Sequence, residues 1–138
     1  MKTIVVLSVL CLSSVSFAAA ECPAGSETVV TCTSNPQPGD GQLASDMLDS
    51  VAICESGSVT SMVMAKDNES VTTEVAVLSI PGGTHYTVED DTVLFRFSVV
   101  AGVRTVKPKA TLSVTFTAAK DDNGNPLSSA STYACSRL

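Results

Sequence analysis

From residue 110 to residue 118 the chain alternates strictly: Ala110, Leu112, Val114, Phe116 and Ala118 are apolar, and Thr111, Ser113, Thr115 and Thr117 between them carry hydroxyls. Side chains of an extended strand point to opposite faces in turn, so this pattern places all the apolar groups on one face and all the hydroxyls on the other. A helix would scatter the same residues around its axis. The segment is therefore a strand with one buried face and one wet face, and it demands other strands to bury against. Residues 93–99 supply a second, with Val93, Phe95, Phe97 and Val99 inward, and residues 71–77 a third, with Val71, Val75 and Val77 sharing a face. Weaker strand segments occupy 28–34, 58–65, 84–88 and 131–137.

Turn chemistry separates these segments at short intervals. Asn123-Gly124 follows the strand at 110–118, and both residues tolerate the positive φ of a tight hairpin. Pro81-Gly82-Gly83, Glu89-Asp90-Asp91, Lys66-Asp67-Asn68 and Glu55-Ser56-Gly57 punctuate the rest. Seven or eight short strands with this spacing predict an all-β fold, a small antiparallel β-sandwich or β-barrel. One stretch departs from it: Leu43, Met47, Leu48 and Val51 recur at helical spacing, which points to one short helix near 41–50. The loop before it, 35–41, is rich in Pro and Gly and is expected to be exposed.

The first twenty residues have the order of a secretory leader: Lys2, an apolar stretch over 4–12, small residues, then Ala18-Ala19-Ala20. Cleavage is expected after Ala20, leaving 21–138 as a single disulfide-stapled domain in an exported, periplasmic or extracellular protein. A lipid anchor on Cys11 or Cys22 is disfavoured, because Leu10 and Glu21 precede them where small residues are needed.

The leader takes one of the five cysteines with it and leaves Cys22, Cys32, Cys54 and Cys135. An even number in an exported chain implies two disulfides, while zinc is disfavoured because there is no C-x-x-C pair and the only histidine, His85, is remote in sequence. If 28–34 and 47–54 are neighbouring antiparallel strands, Cys32 and Cys54 lie near opposite ends of the pair, beyond the reach of a cystine. Cys22 can reach Cys54, which leaves Cys32 for Cys135.

Fourteen acidic side chains against eight basic ones give a formal net charge of −6. That balance repels phosphate backbones and anionic headgroups, so nucleic acid is not the expected partner, and the chain beyond the leader holds no apolar run long enough for membrane insertion. His85 is the first candidate for a general base, with a serine as nucleophile and an acid from 89–91 to orient it, yet no G-x-S-x-G elbow is present. The acidic groups at 89–91 and 121–125 resemble calcium loops only loosely, since the glycine is misplaced and the distal glutamate is missing. Asn68-Glu69-Ser70 fits the N-glycosylation triplet. Met62 and Met64 share a strand face, and with His85 and Tyr86 they form the candidate binding surface. No cofactor is expected. The expected function is a non-catalytic exported binding domain with a protein partner, an enzyme inhibitor being one form of it. The alternatives are a lipocalin-like carrier of a small apolar ligand, and a small hydrolase using His85.

Overall fold

A computed structural model of the chain describes residues 19–41, 48–100 and 108–137. These form nine strands: β1 (Glu27–Ser34), β2 (Ser50–Ser56), β3 (Val59–Lys66), β4 (Glu69–Glu74), β5 (Ala76–Ile80), β6 (Gly83–Glu89), β7 (Val93–Val100), β8 (Lys109–Lys120) and β9 (Pro126–Arg137). All pairings are antiparallel, in one sheet of order β4-β3-β2-β1-β9-β8-β7-β6-β5. The all-β class is as the alternation requires. The short helix expected near 41–50 falls largely on 42–47, outside the described residues, and Leu48 and Asp49 lead without a helix into β2.

The order of the strands dictates the shape. β4 and β5 lie at opposite edges of the sheet, yet Val75 alone separates them in the chain. Consecutive Cα atoms are 3.8 Å apart, so Glu74 and Ala76 lie within about 8 Å of one another. A nine-stranded sheet can bring its two edges that close only by curling round. β4 and β5 are thus one ribbon bent at Val75, its first half paired to β3 and its second to β6. Bends of this kind let a strand pass from one sheet face to the next. Counted so, the ribbons number eight, the even number that an antiparallel meander needs to close on itself. Val75 N–H donates to Thr60 C=O at 3.0 Å, and its side chain is only 8% exposed.

The inner face gathers one core from every side of the curl. Val30 and Cys32 of β1 meet Val51 and Ile53 of β2, Met62 of β3, Tyr86 of β6, Phe97 and Val99 of β7, Ala110, Leu112 and Val114 of β8, and Tyr133 and Cys135 of β9. Phe97 and Tyr133 pack edge to face with centroids 5.6 Å apart, the arrangement that aromatic quadrupoles favour. Tyr133 donates its hydroxyl to Leu48 C=O at 3.0 Å. Burial, with a smaller contribution from nearby Asp49, holds that phenol well above its ordinary range, so it stays protonated and keeps donating.

Two disulfides clamp this arrangement, Cys22 to Cys54 and Cys32 to Cys135. Cys32 and Cys135 face one another directly across the β1–β9 pair, whereas Cys54 stands opposite Thr28, four residues from Cys32. The bridges indicate an oxidising environment.

One local expectation is corrected, and two that hold gain detail. Asn123-Gly124 does not form a two-residue hairpin with both φ positive: Gly124 alone is left-handed, at φ 82°, in a wider turn closed by Asp121 N–H to Asn125 C=O. The turn with two positive φ values is Asp67-Asn68, at 48° and 68°, between β3 and β4. The Pro-rich loop at 35–41 is exposed along much of its length but fastened to β9: Asn35 N–H donates to Thr132 C=O, Gly41 N–H to Ala130 C=O, and Thr132 N–H and hydroxyl both donate to the Asp40 carboxylate. The Asp40 side chain thus stands in for a strand carbonyl on an edge that β1 has already left.

Hydrogen bonds from the backbone of Gln37 and Thr132 hold the Asp40 carboxyl below its ordinary value of 3.8. A depressed folded-state pKa contributes stability that is present above the unfolded value and lost as pH falls through the folded one. Asp40→Ala is therefore expected to lower the urea midpoint at pH 7, with the gap to the unsubstituted protein closing as the pH falls below 3.8 and through the depressed folded-state value. A gap that stays the same as the pH falls would show that the carboxylate charge plays no part.

Candidate functional site

The closing bend leaves a seam, and the seam carries the most unusual surface of the molecule. β5 has β6 on one side and, among the described residues, no strand on the other. All five of its residues are exposed, including Val77 at 48%, Leu78 at 61% and Ile80. It carries no charge. Registers place Leu78 beside His85 and Ser98, and Ile80 beside Gly83 and Val100, all on the outer face. Val100 is exposed too, so Leu78, Ile80 and Val100 make an apolar outer strip next to a free main-chain edge. Sheet edges are normally blunted by charge, proline or a covering element, because their unpaired N–H and C=O groups recruit other strands. The other edge, β4, is blunted in that way by Glu69 and Glu74.

On the β4 side, the seam opens into a cleft of about 320 Å³. Leu48, Met64, Val71 and Phe95 supply its apolar lining, and Lys66, Asp67 and Glu69 its charged rim. Val71 pairs with Met64 and so faces inward, yet it is 62% exposed because the bend at Val75 leaves no ribbon beyond it. Asp49 stiffens this rim, accepting from Lys66 Nζ at 3.2 Å and from Asp67 N–H at 2.9 Å. The Asp67 backbone bond, followed by the Lys66 contacts, holds the Asp49 carboxyl below its ordinary value.

The four residues expected to share one binding surface do not come together. Met62 and Met64 do share a face, but it is the inner one: Met62 is fully buried and Met64 reaches only the cleft. Tyr86 is buried beside Phe97, its cross-strand partner. His85, next to it on β6, necessarily points the other way and lies on the outer face. Its Nδ1 shares a 2.6 Å hydrogen bond with Ser98 Oγ. The acids expected to orient the ring are elsewhere. Glu89 is four residues along the strand, about 13 Å at 3.3 Å per residue, and Asp90 accepts from Thr92 N–H, Thr92 hydroxyl and Val93 N–H in its own turn. Asp121 is likewise occupied by Asn123 N–H and Asn125 N–H. These turn bonds hold both carboxyls below their ordinary value.

The β5 edge escaped sequence reasoning because residues 71–77 read as one uninterrupted ribbon. The missed signal was Ala76-Val77-Leu78-Ser79-Ile80, an uncharged segment without alternation, ending at Pro81. No family model, no curated protein and no solved structure matches the chain.

Proposed function

We propose that the protein is a non-catalytic binding domain that works outside the cytoplasm, in the periplasm or the extracellular space, and that its partner is a protein docking an extended segment along β5. The observation that carries this is the exposed, uncharged edge strand β5, in contrast to the opposite edge β4 with its Glu69 and Glu74. Strand addition fits such an edge: main-chain hydrogen bonds give affinity, and pockets for alternate side chains give selectivity. Apolar strips of this sort on a small soluble domain mark interaction sites more often than idle surface. Inhibition of an enzyme by occupying its extended-substrate groove is one form that docking can take.

The test is capture from the medium in which the native protein resides, using the oxidised domain and the double variant Leu78→Lys/Ile80→Lys. Both positions are solvent-facing, so the variant is expected to keep its melting temperature and to lose the captured protein. Equal capture by the two would contradict docking at this edge. The carrier reading is left with surface clefts, because Tyr133, Phe97, Ile53, Met62 and Leu112 occupy the interior; the seam cleft and a second of about 300 Å³ beside Asn35, Pro108 and Thr132 both sit at the low end of ligand-pocket volumes. The hydrolase reading rests on the His85–Ser98 contact and is checked by ester hydrolysis in His85→Ala. Loss of activity there would favour it over binding.

A further inference from the structure

We infer that the leader is removed after Ala18, so that the mature chain begins at Ala19 and not at Glu21. The inference rests on the export reading above. Two cuts satisfy the need for small residues just before the cleaved bond: after Ala20, preceded by Ala18-Ala19, and after Ala18, preceded by Ser16-Phe17. The sequence alone does not separate them; the fold does.

Ala20 is an integral part of the folded domain. It is 5% exposed, and its backbone N–H donates to Ser50 Oγ at 2.7 Å in a buried hydrogen bond. With Cys22 it covers a patch of small residues on the outer face of β2 and β3: Ala52, Cys54, Val63 and Ala65. These side chains are on the opposite face from the barrel core, because Val51 and Ile53, their neighbours in β2, point inward. Nothing else among the described residues completes this second cluster, so the terminal segment acts as a strap over it. The Cys22–Cys54 bridge lies directly beside Ala20 and holds the strap down.

The charge created by cleavage excludes the intermediate cut after Ala19 without separating the other two, since Ala19 and Glu21 are both exposed. A cut after Ala18 puts the new ammonium on Ala19, which is exposed and can keep its hydration. Were the chain to start at Ala20, that charge would be buried, at a cost far above that of a neutral amide. A cut after Ala20 would discard the residue that fills the slot, uncover Ala52, Val63 and Ala65, and leave Ser50 Oγ without this donor.

The full precursor should be expressed in an exporting host, and the protein outside the cytoplasm characterised by intact mass and N-terminal sequencing. A chain starting at Ala19 with two intact disulfides is expected. One starting at Glu21 with the same disulfides would overturn the inference while leaving export in place. A product that retains Met1 with free thiols would overturn the export reading, and the inference with it. As an independent check, oxidised chains starting at Ala19 and at Glu21 are compared by thermal unfolding, where the longer is expected to melt about 3–6 °C higher. Ser50→Ala should shrink that difference, and identical melting of the two chains would count against the strap.

Discussion

Cys32→Ala/Cys135→Ala is expected to cost about 4–5 kcal/mol of stability, more than any other pair of substitutions considered. The bridge closes a loop between residues 103 apart, and the entropy removed from the unfolded chain by a closure of that length corresponds to about 4.7 kcal/mol. Cys22 and Cys54 are 32 residues apart, and their loss should cost about 3–4 kcal/mol on the same relation. Native geometry adds to the asymmetry. The long bridge joins directly facing residues of β1 and β9, the pair that brings the first and last ribbons together, whereas the short one anchors a terminal strap. Urea unfolding of the two double variants, with slopes compared as well as midpoints, measures both values. An equal or inverted order would mean that the β1–β9 closure is not where the chain's freedom is principally restrained.

Phe97→Ala should destabilise by about 3–5 kcal/mol, the range for deleting a buried aromatic ring. Phe97 is fully buried, touches Tyr133 edge to face and lies between Tyr86 and Leu112 in the register of β6, β7 and β8. Tyr133→Phe, which removes only the hydroxyl, should cost about 1–3 kcal/mol because Leu48 C=O loses its buried donor. The pair also bears on function. A change of less than about 1 kcal/mol in Phe97→Ala would mean that the interior tolerates a hole, as a ligand-carrying barrel does, and would favour the carrier over the binding domain. Calorimetric unfolding of both variants distinguishes a packed interior from a hollow one.

The parts of this fold legible in the sequence are those where burial follows parity. β8 shows it best: Ala110, Leu112 and Val114 are buried while Thr111 is exposed and Ser113 and Thr115 are half-buried. Parity failed where one face carried no apolar label. β9 begins at Pro126, well before the strand expected at 131–137, because its inward positions there include Ser129 and Ser131, and a buried serine looks like a surface one in sequence. At the far end of β8 the alternation outlasts the barrel. Ala118 keeps the apolar phase but is exposed, since the β8–β9 hairpin extends past the last neighbouring strand.

The candidate site was harder to see than the fold. Met62, Tyr86 and His85 were grouped by residue type, and type does not say which face of a curled sheet is inside. The bend at Val75 is the decisive feature, and it has no glycine, proline or turn dipeptide to announce it. It arises because one ribbon must serve two neighbours that the curl brings to it, a condition that appears only once all eight ribbons are in place. The Asp40 clamp on β9 is similar: a turn-forming residue in a Pro-rich loop becomes a strand partner through a contact across 92 residues of chain.

Amide hydrogen exchange on the oxidised monomer, resolved residue by residue, tests the open β5 edge most directly. Amides of the inner ribbons β1, β2, β8 and β9 should be strongly protected, while along Ala76–Ile80 protection should alternate, with the N–H groups turned away from β6 exchanging fast. Uniform protection across those five residues in the monomer would show the edge already covered, and would contradict the account of β5 as an uncharged edge open to a partner strand.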